Sequence, residues 1–266
     1  MTIDKLNTRD DYETFLIEEN VIEFCFLLSR GSTHGGFHLD RYRMQVETDS
    51  AFWTNFVMER SVESSFIADC IRDVKKRMID GKSPRSWVFG PTKNHEEWDK
   101  PLNDNGFYLK ERWIAMAADI SQHATCTKAG PQGFSIEEFD DPQKLDVWLE
   151  IASEALCDGN ALKKPMFERL LKKPHVRFYL GFYQGEPAAT CLLFLTPEAA
   201  GINVVSTRAA FRKKGIASAM VQAAMKQSAS EGHATAVLQA SEMAVGAYEQ
   251  LGFKDYGEFK LYALKA

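Results

Sequence analysis

Between Phe134 and Leu264 short apolar strand patterns alternate with helix patterns, and this rhythm narrows the possible folds more than any other feature. Phe134–Glu138 reads as a strand. Asp141–Cys157 carries Leu145, Trp148, Leu149, Ala152 and Leu156 at helical spacing. Met166–Leu171 is a second helix, closed by Pro174. Val176–Tyr183 and Ala188–Leu195 are apolar strands joined by Gln184-Gly185-Glu186-Pro187, a hairpin signal. Ile202–Thr207 is a strand and Ile216–Ser230 a helix, ended by Gly232 at a C′ position. Ala234–Ala240 is a strand, Met243–Leu251 a helix ended by Gly252, and Phe259–Leu264 the last strand. The order β-α-α-β-β-β-α-β-α-β places the chain in the α/β class.

The first half echoes this order weakly. Asp11–Leu28 and Ser64–Met78 read as helices, and Tyr42–Val46, Phe52–Met58, Ser86–Phe89 and Trp113–Ile120 as strands. Leu102-Asn103-Asp104-Asn105-Gly106-Phe107 precedes a strand near the end of this half, as Tyr248-Glu249-Gln250-Leu251-Gly252-Phe253 does in the second. The two Gly-Phe pairs stand 146 residues apart, which suggests an internal repeat. Ser121–Gly133 is poor in large apolar residues and ends in Gly130-Pro131-Gln132-Gly133, so it reads as a linker. The expected domains are therefore 1–120 and 134–266, joined by 121–133.

Composition removes several functions. At 266 residues with 45% hydrophobic content the chain can bury a core without a disulfide or metal staple. The net charge of −5 divides into −4 up to residue 130 and −1 after it, which disfavours a nucleic-acid partner. No apolar run is long enough to span a bilayer, and Met1–Arg9 lacks the pattern of a secretory leader. Cys25, Cys70, Cys126, Cys157 and Cys191 are scattered, odd in number and form no Cys-x-x-Cys, as expected of reduced thiols in a cytoplasmic protein.

Against this acidic background, Ala199–Ser230 holds five basic residues and no acidic one. Within it a strand runs into Arg212-Lys213-Lys214-Gly215-Ile216-Ala217-Ser218, and a helix begins at the glycine. A helix N-terminus presents unpaired amides and a partial positive charge, which suits phosphate. Gly215 and Ala217 lack bulk, so an anion can approach the backbone. A solvated basic turn whose glycine merely eases helix entry is the other reading. No Walker-type Gly-x4-Gly-Lys-Ser/Thr and no Gly-x-Gly-x-x-Gly is present.

Arg212-Lys213-Lys214-Gly215-Ile216-Ala217 resembles the Arg/Gln-x-x-Gly-x-Gly/Ala signature of the GNAT N-acyltransferase superfamily, and the segments from Phe134 to the C-terminus fall in that family's order. The first half, with Trp87-Val88-Phe89-Gly90-Pro91 and Asn105-Gly106-Phe107, is similar to the degenerate N-terminal lobes of tandem GNAT proteins and lacks the loop signature. The resemblance implies two tandem GNAT-like lobes, each a mixed, largely antiparallel sheet flanked by helices. It also implies splayed central strands in the C-terminal lobe and one cofactor site, there. Acetyl-CoA would be the co-substrate, lying between Ile202–Thr207 and Ala234–Ala240, with no metal. Val205 and Thr207 would offer backbone groups to the pantetheine arm, and Arg212, Lys213, Lys214, Gly215, Ile216, Ala217 and Ser218 would receive the pyrophosphate. A backbone N–H near Val205 would polarise the thioester, and Gln239 and Ser241 would bond the pantetheine. Capping the following helix is an equal alternative for Ser241. Tyr248 matches the tyrosine that protonates the leaving thiolate, although packing on the core is the common fate of a lone tyrosine. Gly252 and Phe253 read as a helix C-cap.

The strand Ile202–Thr207 carries no glutamate, so no general base is apparent; Asn203 could orient a water, and Glu242 and Glu154 are unanchored. The acceptor would be a small-molecule or peptide amine, with no nucleic acid or membrane partner, and the sequence sets no oligomeric state. A catalytically weak acyl-CoA sensor is the alternative. A transferase using aminoacyl-tRNA would want a basic groove, against the acidic first half. His34-x3-His38 with Asp40 sits in a Gly35-Gly36 loop whose spacing does not converge the rings, so no metal is expected. The aromatics Phe24, Phe26, Phe37, Phe52, Trp53 and Phe56 read as core rather than as an acceptor wall.

Overall fold

A computed structural model describes residues 8–30, 36–39, 43–47, 55–59, 62–93, 95–123, 130–157 and 161–265. The expectations for His34, Asp40, Phe52, Trp53 and Cys126 lie outside these residues. Two compact units are present, Met1–Ala115 with Tyr256–Ala266, and Met116–Asp255. The sequence reading put 134–266 into one domain; by packing, the last strand goes with the first unit instead. Tyr262 and Leu264 are the cause, because they bury into the core of Trp87, Phe89, Trp98 and Phe107.

The first unit contains α1 (Arg9–Ser29), β1 (Gly36–Leu39), β2 (Arg43–Glu47), β3 (Phe56–Glu59), α2 (Ile67–Ile79), β4 (Ser86–Phe89), α3 (His95–Asp104), β5 (Phe107–Asp119, through Ala115) and β11 (Lys254–Leu264, from Tyr256). Its strand order is β1-β2-β3-β4-β11-β5. A capping box starts α1: the Asp11 amide donates to the Thr8 hydroxyl and the Thr8 amide to the Asp11 carboxylate. In α2, Ile67, Ile71, Val74 and Met78 form one buried stripe. Phe24 and Phe56 are core residues, as their apolar character suggests. Glu18 is buried and accepts from the Thr92 amide and hydroxyl, and a Cβ on Gly90 would lie 2.3 Å from its Oε2, so a larger residue there would have to displace this carboxylate.

Three elements depart from the sequence reading. Gly36–Leu39 is a strand paired with β2 rather than a loop. Helix α3 is absent from that reading because only Trp98 and Leu102 are buried in a polar stretch containing Pro101. Strand β5 begins at Phe107, since its first half is largely exposed and shows no apolar alternation.

The second unit contains the end of β5 from Met116, β6 (Phe134–Phe139), α4 (Pro142–Leu156), α5 (Lys164–Glu168), β7 (Val176–Tyr183), β8 (Glu186–Leu195), β9 (Ala200–Thr207), α6 (Ile216–Ser230), β10 (Thr235–Ala240) and α7 (Val245–Glu249). The order is β5-β10-β9-β8-β7-β6, antiparallel from β6 to β9 and parallel between β9 and β10. The β7–β8 hairpin turns on Gln184 and Gly185, both at positive φ, which matches the right-handed strand twist. Asp141 caps α4 by accepting from the Gln143 amide, with Pro142 in the first turn. Trp148 of α4 packs on Phe178 of β7, so α4 covers that face. Helix α6 ends as expected: Gly232 has φ +94°, the His233 amide donates to the Ser228 carbonyl and the Gly232 amide to that of Ala229.

In the first unit Lys260 of β11, itself nearly buried, donates to Asp99 of α3 at 2.9 Å, and Tyr262 donates to the same carboxylate. Burial pushes the Asp99 carboxyl up, but these two donors and the Lys260 charge outweigh it and hold it below its ordinary value. A carboxyl lowered on folding adds stability above its unfolded value and loses it as pH falls through the folded one. Asp99→Asn is therefore expected to cost about 1 kcal/mol in urea denaturation at neutral pH. Its deficit against the wild type should shrink as the pH is brought below roughly 4.

Candidate acyl-transfer site

Strands β9 and β10 start as a pair and then part. Their bridges are Ala236 with Ala200 and Val237 with Gly201; from Ile202 and Leu238 onward no ladder joins them. The parting leaves a wedge lined by the rest of β9 on one side and Leu238–Ala240 on the other.

The β9 side of the wedge is distorted. Pairing with β8 runs Leu192–Asn203 and then Thr190–Ser206, so β9 holds one extra residue at this point. Val204 has φ +49°, an unusual value for a β-branched residue. The Thr190 hydroxyl donates to the Val204 carbonyl at 2.9 Å and also contacts the Ser206 hydroxyl, which fixes the bulge. Backbone held in so unfavourable a region is found where surrounding structure over-determines it, often at functional sites. The half-buried Val205 follows directly.

Strand β9 leads into the basic turn. Arg212 is exposed and its Nε donates to the Thr207 carbonyl at 3.1 Å, which folds the side chain back along the turn. Lys213 and Gly215 both have positive φ, +61° and +76°. The Lys214 ammonium lies 5.6 Å from the centre of the Tyr183 ring. Gly215 is the N-cap of α6 and no side chain caps the helix. The Ala219 amide makes the first helical bond, to the Gly215 carbonyl, so the amides of Ile216, Ala217 and Ser218 precede the ladder and suit an anion. The Ile216 side chain itself is buried in the core.

Tyr248 stands on α7, just beyond β10. It is 6% exposed. Burial raises its pKa, and Cys191 adds to the rise, so the phenol is protonated at neutral pH. Cys191 sits on β8 opposite the bulge. Gly252 has φ +94°, the Phe253 amide donates to the Tyr248 carbonyl and the Gly252 amide to that of Glu249, and the Tyr248 and Phe253 rings pack 6.1 Å apart. The C-cap reading of Gly252 and Phe253 is therefore the observed one, and it orients Tyr248.

Some expected residues stand differently. Gln239 is half-buried on β10, while Ser241 is exposed and closes the following turn through its carbonyl, which accepts from the Ala244 amide. Ser241 does not cap the helix, because α7 begins after Ala244 without a side-chain cap. Glu154 is bound by Arg208 at 2.8 Å, and Glu150 shares the same guanidinium, so Glu154 is not an unengaged base. The Thr190 clamp went unnoticed in the sequence, where nothing distinguishes a strand threonine that will hold a bulge. Among the described residues no group of His, Cys, Asp and Glu could hold a metal, and no helix is long and apolar enough to cross a membrane.

Residues 136–253 match the acetyltransferase (GNAT) family model, spanning the wedge, the basic turn and Tyr248. Over that stretch the chain is similar to the GNAT family of acetyltransferases. A solved GCN5-related N-acetyltransferase from Kribbella flavida has a TM-score of 0.68 at 14% identity, covering 94% of this chain and 95% of its own. One from Sphaerobacter thermophilus has a TM-score of 0.65 at 14% identity, covering 85% and 81%. A functionally unknown conserved protein from Staphylococcus epidermidis gives 0.64 at 11%, covering 88% and 95%. These likenesses establish the fold alone. No curated protein matches the chain by sequence.

Thr190→Val removes both bonds of the bulge clamp while keeping the side-chain shape. It is expected to lower stability by about 1–3 kcal/mol, read from urea denaturation, because the Val204 carbonyl loses a buried partner.

Proposed function

We propose that the second unit transfers an acetyl group from acetyl-CoA to a primary amine of a small molecule or an exposed peptide. The observation that carries this reading is the parting of β9 from β10 directly before an uncapped α6 N-terminus set in a basic turn. Acetyl-CoA, when bound, supplies an acetyl thioester. The amides of Lys213–Ser218, with the charges of Arg212, Lys213 and Lys214, hold its pyrophosphate. Backbone groups at Val205 and Thr207, and the Gln239 and Ser241 side chains, hold the pantetheine arm. A backbone N–H near Val205, fixed by the bulge, donates to the thioester oxygen. Tyr248 keeps a proton on Oη for the departing sulfur. The amine nitrogen forms a bond to the acetyl carbon as the carbon–sulfur bond breaks, and the nitrogen gives up its proton through water.

We further propose that the first unit is a second GNAT-like lobe without a cofactor site. In support, β3, α2, β4, α3 and β5 follow the order of β9, α6, β10, α7 and β11, and β3 pairs in parallel with β4 as β9 does with β10. Gly106, at φ +86°, occupies the place of Gly252. The buried thiols of Cys25 and Cys191, both raised in pKa by burial, suit a reducing cytoplasmic setting. The acidic chain suits neither nucleic acid nor membrane as a partner.

Calorimetric titration with acetyl-CoA and thiol release in the presence of amines test the reading. Tyr248→Phe is expected to lower kcat about 100-fold with acetyl-CoA affinity retained. Gly215→Glu, a charged side chain at a left-handed position, should abolish binding. Full turnover by Tyr248→Phe would remove the proposed acid, and binding without turnover on any amine would make the protein an acyl-CoA sensor instead.

A further inference from the structure

Asn203 is a polar residue of the wedge to which the steps above give no role. It is 8% exposed, and its Nδ2 has no hydrogen-bond partner. A buried amide donor left unpaired costs stability, so its retention calls for a ligand group that pairs with it. Its position is well defined. Asn203 lies two residues beyond Gly201, the last β9 residue bridged to β10. Across the sheet it aligns with Leu192 of β8, which aligns with Phe178 of β7, the ring that Trp148 of α4 covers. Its side chain therefore belongs to the α4 face, beside the open part of β9. Thr190 and Ser206 share that face by register, but their hydroxyls are spent on one another and on the Val204 carbonyl. The clamped bulge at Val204 fixes the backbone beside Asn203, so the carboxamide cannot escape by moving the strand.

We infer that Asn203 is a specificity-determining residue that recognises the amine acceptor through a hydrogen-bond-accepting oxygen, a hydroxyl or carbonyl a few bonds from the amino group. This rests on the acetyl-transfer reading of the wedge. A carboxamide cannot take the proton of an ammonium, as a carboxylate base at this position could. Its N–H is a donor, and a bond to the attacking nitrogen would occupy the lone pair that the reaction needs. The group it pairs with productively is an oxygen on the same molecule. Such a site rejects analogues lacking the oxygen, because its buried donor then stays unpaired.

The test uses the full chain with acetyl-CoA and the matched amines ethanolamine and propylamine. The wild type should have the higher kcat/KM for ethanolamine. In Asn203→Leu, and in the smaller Asn203→Ala, the ethanolamine-to-propylamine ratio should fall about tenfold. Acetyl-CoA affinity by calorimetry should stay within about twofold in both variants, since Asn203 is assigned to the acceptor. A general loss of folding would lower both amines together and leave the ratio in place. An unchanged ratio in both variants, no preference in the wild type, or no turnover of either amine by a protein that binds acetyl-CoA would overturn the inference. Failure of the wild type to bind acetyl-CoA would instead overturn the reading of the wedge on which it rests.

Discussion

A two-residue bridge holds the site together. Strands β9 and β10 pair at Ala200–Gly201 and Ala236–Val237 and nowhere further, so the sheet is continuous at one end of these strands and open at the other. Backbone amides and carbonyls on the open stretch must find other partners, because buried backbone groups are rarely left unpaired. The bulge on β9 answers part of this demand: the extra residue turns the Val204 carbonyl to the Thr190 hydroxyl. What remains is a length of strand able to pair with an extended ligand. The basic turn, the start of α6, Tyr248 and Asn203 all take their meaning from that opening.

The elements around the wedge hold it by separate means. Helix α4 is fixed on one face by Trp148 against Phe167 and Phe178, and by the Arg208 bonds to Glu150 and Glu154 near the end of β9. Helix α6 packs closely: a Cβ on Gly181 would come within 2.9 Å of the Met220 sulfur, so β7 needs a glycine there. The tight C-cap of α7 ties Tyr248 to Phe253. Rigid support of this kind fixes the placement of the groups around the wedge.

Much of the second unit was legible in the sequence. The hairpin at Gln184-Gly185, the span of α6 and the Schellman end at Gly232 follow from apolar periodicity and turn chemistry, which act within one element. The basic turn was legible for the same reason, as was the C-cap role of Gly252. The expected helices Met166–Leu171 and Met243–Leu251 are shorter, Lys164–Glu168 and Val245–Glu249, because their flanking residues form turns rather than helical ladders. Helix α3 and the first half of β5 stayed hidden because they are mostly exposed and carry little apolar pattern.

By itself the sequence determined an α/β chain with a phosphate-suited turn between a strand and an alanine-rich helix, and a tyrosine locked before a Gly-Phe cap. Only the tertiary structure decided where β9 and β10 separate, that Val204 would be driven to positive φ, and that the Nδ2 of Asn203 would be buried without a partner. It also decided that the last strand completes the first unit through Tyr262 and Leu264. The physical reason is range. Periodicity, caps and turns are set by neighbours along the chain, whereas the end of a strand pairing, a bulge and a desolvated carboxamide depend on residues that only folding brings together.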